Sequence, residues 1–215
     1  MQYVRPLPAY LVKRYHGWKS TVFEANKAVF GELATQGQRP RIMVVSCCDS
    51  RLHVTSMFGA DLGELFIHRN IANLIPHYEP DGLHHGTSAA VEYGVRTLKV
   101  EHLIVLGHSG CGGVEGCYNM CAGHAPELNE QTSFVGRWLD IMRPAYHALP
   151  AGDDASRKTA LEKASILVSL QNLMTFPFIR VAVLDGSITL HGLWKNIGEG
   201  RLETYDPDRD LFVPL

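Results

Sequence analysis

The chain of 215 residues is 46% hydrophobic and 20% charged, which suits one globular domain or at most two small ones and excludes a disordered or collagen-like chain. With 20 lysines and arginines against 22 acidic residues, the net charge of -2 gives no general pull toward nucleic acid or an anionic membrane. Met1 to Pro8 lacks the features of a secretory signal. Thr21 and Glu24 have the spacing of a capping box, and Val22, Asn26, Val29, Phe30 and Leu33 then recur near one face, so a helix is expected up to about Gly37. Ile42 to Ser46, Leu65 to His68 and His102 to Leu106 are short runs of the kind found in parallel strands buried on both faces. Thr87 to Leu98 reads as a crossover helix between the last two, which makes the fold α/β. Loops and short helices are expected from Met120 to Arg157, then a mostly buried helix from Thr159 to Met174. Ala164 to Ile179, the longest charge-free apolar stretch, falls short of the ~18 residues that span a bilayer. Ile179 to Leu184 and Ser187 to His191 flank Asp185-Gly186, a strong hairpin signal, so the sheet is expected to be mixed, with an antiparallel edge strand.

Three segments following the predicted strands carry the chemistry, because open α/β sheets place ligands at the carboxyl ends of their strands. They are Cys47-Cys48-Asp49-Ser50-Arg51, Arg69-Asn70-Ile71-Ala72-Asn73 and Gly107-His108-Ser109-Gly110-Cys111-Gly112-Gly113. The five cysteines are an odd number with no export signal, so they read as reduced thiols in a cytoplasmic protein. His108 and Cys111 set an imidazole and a thiolate on one turn of chain. A third ligand from Cys47 or Cys48 makes a Cys2His zinc set with an open fourth position, the mark of catalytic zinc. Each piece alone fits ordinary packing or a tight turn. Beside the charged Asp49 and Arg51 in apolar surroundings, the combination does not. A closed structural zinc site using Cys117 or Cys121 is the competing metal reading. A phosphatase-like cysteine with Arg51 as oxyanion holder fails on spacing, because Cys47 and Arg51 stand too close to enclose a glycine-bearing cradle. Gly107 to Gly113 also misses the dinucleotide fingerprint.

At these residues the sequence resembles the β-class carbonic anhydrases. The match runs through Cys47-x-Asp49-Ser50-Arg51, Arg69-Asn70-x-Ala72-Asn73, Glu92-Tyr93-Gly94-Val95 with Leu98, and Gly107-His108-x-x-Cys111-Gly112-Gly113. It continues weakly into Ser169 to Pro177 and Leu190-His191-Gly192, covering the chain from about Gln38 onward. The resemblance implies a single domain over 1–215 in which 1–35 form a helical arm that packs on a partner subunit of a homodimer or homotetramer. Trp18, Phe23 and Phe30 supply apolar surface either for that contact or for their own sheet. It implies reversible hydration of CO2 to bicarbonate and a proton by zinc-bound hydroxide, with one zinc per subunit held by Cys47, His108 and Cys111 and with Cys48 in the variable motif position. Asp49 and Arg51 are then a catalytic dyad: Arg51 holds the carboxylate away from zinc, and Asp49 accepts a hydrogen bond from the zinc water or hydroxide. Gln38 matches a glutamine that donates to a substrate oxygen, Phe66, Ile71 and Tyr93 match an apolar wall, and Gly112 completes the substrate-binding set. The logic is general, since zinc lowers the pKa of bound water to near ~7 and an acceptor-only carboxylate orients the hydroxide.

Two further points follow from the resemblance. Val44 stands where bicarbonate-inhibited members carry tryptophan, so that second site is expected to be absent or altered even though Arg69 matches another part of it. Asp49 can displace the zinc water when Arg51 lets go, which implies activity lost at low pH. The alternatives are a carbon disulfide or carbonyl sulfide hydrolase on the same scaffold, and a non-catalytic zinc or redox-sensing thiol protein, for which the Cys47-Cys48 pair is the main support.

Overall fold

The computed structural model describes residues 3–81 and 85–215. The chain divides into two compact units, Met1–Arg39 and Pro40–Leu215. In the first, α1 (Ala9–Trp18) passes through a wider π-type turn at Lys19–Phe23, and α2 (Lys27–Gln36) stops at Gly37, whose φ of +75° favours glycine. No helix starts at Thr21, as the capping-box spacing suggested. Its hydroxyl instead donates to the Gly17 carbonyl at 2.8 Å, the back-bonding of a mid-helix threonine, and Glu24 pairs with Lys27. Trp18, Phe23 and Phe30 pack on one another with ring centroids 5.2 to 5.8 Å apart.

The second unit is built on β1 (Ile42–Cys47), β2 (Leu65–Asn70), β3 (His102–His108), β4 (Thr189–Lys195), β5 (Leu202–Asp206) and β6 (Leu211–Pro214), in the order β2-β1-β3-β4-β5-β6. The four strands β2, β1, β3 and β4 run parallel, and β5 and β6 continue antiparallel, giving the expected mostly parallel α/β sheet with an antiparallel edge. Side chains alternate across the pleat. Met43 and Val45 join Leu103, Val105, Ile166 and Phe176 in one core, while Val44 joins Leu106, Val114 and Leu161 in the other. β2 is only half-buried, against the expectation of burial on both faces, because it is an edge strand.

Shorter helices fill the connections: α3 (Val54–Phe58), α4 (Gly86–Glu92, running on through a π-type turn to Thr97), α5 (Gly112–Cys121), α6 (Phe134–Leu139) and α7 (Arg143–His147). The long helix α8 (Asp154–Leu173) begins earlier than Thr159 because the Asp153 carboxylate caps it, accepting from the Ser156 amide at 2.8 Å. The hairpin expected around Asp185-Gly186 is absent. Pro177 opens α9 (Pro177–Leu184), and Gly186, at φ +78°, ends it. A short apolar run does not tell strand from helix by periodicity, and an Asp-Gly pair serves a helix end as well as a hairpin. No single helix among the described residues is long and apolar enough to cross a membrane, and α8 meets α9 at 92°.

Two glycines bring α8 down onto the sheet. A Cβ at Gly107 would stand 2.8 Å from Ile166 Cδ1, and one at Gly192 would stand 3.0 Å from both Ile166 Cγ2 and Leu170 Cδ1. That close approach lets Glu162, Ser165 and Ser169 of α8 reach the segments that follow β3 and β2.

Candidate active site

Cys47 ends β1, His108 ends the adjacent β3, and Cys111 is the residue from which α5 starts. Strand pairing therefore brings together residues more than 60 positions apart, as the Cys47 to Cys111 separation of 64 records. Their ligand atoms all lie within 4.8 Å of one another, and all three residues are buried. Two thiolates on a tetrahedral zinc with Zn–S near ~2.3 Å stand about 3.8 Å apart. Here Cys47 Sγ and Cys111 Sγ are separated by 3.7 Å. His108 Nδ1 donates to the Ser109 carbonyl at 3.0 Å, which leaves Nε2 as the bare nitrogen. That Nε2 is buried, in a residue 1% exposed, with no hydrogen-bond partner among the described residues. An orphaned imidazole nitrogen facing two thiols is costly unless something binds there, and the donor set suits zinc. The contact with Cys111 draws the Cys47 thiol down to about 4, while that same contact and burial push Cys111 up.

Asp49 and Arg51 stand over this set. The Arg51 backbone N–H and Nε both donate to Asp49 Oδ1 at 2.9 Å, and Arg51 Nη2 donates to Oδ2 at 2.6 Å, a bidentate pair. The guanidinium holds the Asp49 carboxyl well below the usual carboxylate range, so it is an acceptor only. Asp49 Oδ2 lies 3.9 Å from His108 Nε2. Arg69 clamps the motif backbone: Nε donates to the Cys47 carbonyl at 2.9 Å and Nη2 to the Asp49 carbonyl at 2.7 Å.

The loop after β2 supports the centre. Ala72 and Asn73 take φ of +61° and +52°, unusual for residues with a Cβ. Asn73 is held there by α8, with its Nδ2 donating to Ser165 Oγ at 3.3 Å and its carbonyl accepting from Ser169 Oγ at 3.1 Å. Gly113 is what lets α5 meet this loop, since a Cβ there would lie 2.7 Å from Ile71 Cγ2 and 3.0 Å from Ala72 Cβ. Gly113→Ala is accordingly expected to lower stability by about 1–3 kcal/mol, measured as the denaturation midpoint of the zinc-loaded protein; an unchanged midpoint contradicts the contact.

The expected substrate-binding residues are less gathered. Phe66 and Tyr93 pair with centroids 5.9 Å apart, and Tyr93 is 46% exposed. Ile71 is 40% exposed and lines a cavity of about 960 Å³ with Cys48, Phe134 and Trp138; Cys47, His108 and Cys111 do not line it. Gly112 stands open, with nothing within 4 Å of where a Cβ would be. Gln38 belongs to the first unit. Neither Cys117 nor Cys121 joins the Cys47, His108 and Cys111 group, and Cys117 Sγ donates to the Leu139 carbonyl at 3.6 Å, so the closed four-ligand reading does not hold. Cys48 is exposed and also stays outside the set.

Sequence reasoning missed Glu162. Its buried carboxylate accepts from the Gly110 and Cys111 amides and from Trp194 Nε1. The signal was an acidic residue on the same stripe of α8 as Ser165, Ile166, Ser169 and Leu173, a face otherwise free of charge.

The family model described as carbonic anhydrase matches residues 42–202. Carbonic anhydrase 1 of Escherichia coli O157:H7 is 36% identical over 194 residues, covering 90% of this chain and 85% of that protein. Beta carbonic anhydrase 3 of Arabidopsis thaliana is 33% identical over 195 residues, covering 89% of this chain and 74% of that protein. The chain belongs to the β-class carbonic anhydrases. Among solved structures, the β-carbonic anhydrase CcaA superposes with a TM-score of 0.83 at 29% identity, covering 96% of this chain and 91% of that one. One of two tetrameric β-carbonic anhydrases from Sordaria macrospora gives 0.74 at 29% identity, covering 91% and 94%. As in other β-class carbonic anhydrases, the activity is zinc-dependent hydration of CO2, and the Cys47, His108 and Cys111 group is consistent with zinc binding. The sulfur-gas and non-catalytic readings are not favoured.

Proposed function

We propose that one zinc per subunit is held by Cys47, His108 and Cys111, and that Asp49 and Arg51 run the hydration beside it. The observation that carries this reading is the buried, unpartnered His108 Nε2 facing two thiols 3.7 Å apart, with an ionised carboxylate within 3.9 Å. Zinc supplies Lewis acidity that makes a nucleophile from water at neutral pH. Asp49 has no proton to donate, so it can only accept from the attacking hydroxyl, which turns an oxygen lone pair toward the carbon of CO2. Arg51 keeps that carboxylate ionised and fixed by two parallel hydrogen bonds. The new C–O bond yields bicarbonate, and the proton of the consumed water leaves to solvent or buffer.

Gln38 is proposed as donor to a substrate oxygen, with Phe66, Ile71, Tyr93 and Gly112 forming a wall suited to a small uncharged gas. The reading includes a homodimer or homotetramer, supported by the tetrameric relatives and by the exposed Tyr10, Leu11, Val12, Tyr15 and Val22 on the N-terminal arm. Five unpaired cysteines support a reducing, cytoplasmic setting.

Dialysis against a strong zinc chelator is expected to abolish hydration, and one equivalent of zinc to restore it. Full activity in protein shown by elemental analysis to be zinc-free contradicts the reading. Carbonyl sulfide and carbon disulfide are expected to turn over poorly in parallel assays.

A further inference from the structure

Glu162 is 5% exposed and forms no part of the mechanism just given. Oε1 accepts from the Gly110 amide at 2.6 Å and the Cys111 amide at 3.3 Å, and Oε2 accepts from Trp194 Nε1 at 3.2 Å. The Cys111 N–H and the Gly110 carbonyl belong to one peptide unit, and that carbonyl accepts from Arg51 Nη2 at 2.8 Å. The same Arg51 nitrogen donates to Asp49 Oδ2. This single peptide is therefore gripped at its N–H by Glu162 and at its C=O by the arginine of the dyad. Gly110, at φ +62°, has the conformational freedom that would let the peptide turn over, and turning would aim an N–H at Arg51.

We propose that Glu162 is a positioning residue for the Asp49–Arg51 dyad, acting through the Gly110–Cys111 peptide. A carboxylate suits this place because three donors converge on it and it presents acceptors only. In Glu162→Gln the volume is kept, but the amide nitrogen must face either the two backbone N–H groups or the Trp194 indole N–H. Either arrangement opposes donor to donor and loosens the peptide. Arg51 then loses a fixed partner, and Asp49 loses its restraint.

The proposal rests on the functional reading above, and its test separates the two. In zinc-loaded protein, Glu162→Gln is expected to lower kcat about tenfold with KM within about twofold and zinc content unchanged. In an Arg51→Ala background the same change is expected to cost less than about twofold, because the residue it acts through is already gone. The cobalt-substituted protein gives a readout independent of turnover: Glu162→Gln and Arg51→Ala are expected to shift its visible absorption in the same direction, as Asp49 is released in both. An unchanged kcat, an equal loss in both backgrounds, or a loss that tracks zinc release overturns the proposal. If Glu162→Gln does not fold, Trp194→Phe removes one of the three donors and is expected to lower kcat about twofold in the parent only; equal losses in both backgrounds overturn it. An inactive parent refutes the functional reading, and the cobalt spectra then still decide whether Glu162 and Arg51 are coupled.

Discussion

Cys47→Ser is expected to bind zinc more than about 100-fold more weakly and to hydrate CO2 at the background rate. Changing residues that merely support a ligand costs about 10–100-fold in metal affinity, so losing one of three ligands costs more. The hydroxyl of serine stays protonated near neutral pH, whereas the Cys47 thiol is already drawn down to about 4 by its neighbour Cys111. The fold is expected to persist, because Cys47 lies at the end of β1 and serine fits its volume. Zinc content after dialysis, together with stopped-flow hydration, checks this; a Cys47→Ser protein with full zinc and full rate contradicts the ligand assignment.

Asp49→Asn is the complementary case, with zinc retained and kcat reduced about 100- to 1,000-fold. Cys47, His108 and Cys111 are untouched. The amide oxygen of the new side chain can still receive the Arg51 backbone N–H and Nε, but its nitrogen takes the place of the Asp49 Oδ2 atom, 2.6 Å from Arg51 Nη2. It faces a donor on one side, and on the other it can no longer accept from the attacking hydroxyl. Equal kcat in Asp49→Asn and the parent, at equal zinc content, removes Asp49 from the mechanism.

The centre was legible because its residues are fixed by short local spacing at strand ends. Cys47 with Asp49 and Arg51, and His108 with Cys111, each occupy one turn of chain, and the register of two parallel strands brings the pairs together. What local spacing does not encode was missed. The acceptance of two backbone amides by Glu162 depends on α8 descending onto Gly107 and Gly192, a contact between segments far apart in sequence. Arg69 was legible as a motif residue, but its grip on the Cys47 and Asp49 carbonyls appears only when β2 pairs with β1. The misread hairpin has a different origin: Ile179 to Leu184 is too short and too uniformly apolar for its period to be read, and Pro177 at the first helical position was the better clue.

The most direct test is stopped-flow CO2 hydration by the zinc-loaded protein from about pH 6.5 to about pH 9. The expected result is fast hydration that climbs through this range as the nucleophilic water ionises, and that disappears on zinc removal. No hydration above buffer in protein carrying a full equivalent of zinc, or a rate indifferent to the metal, would contradict the account.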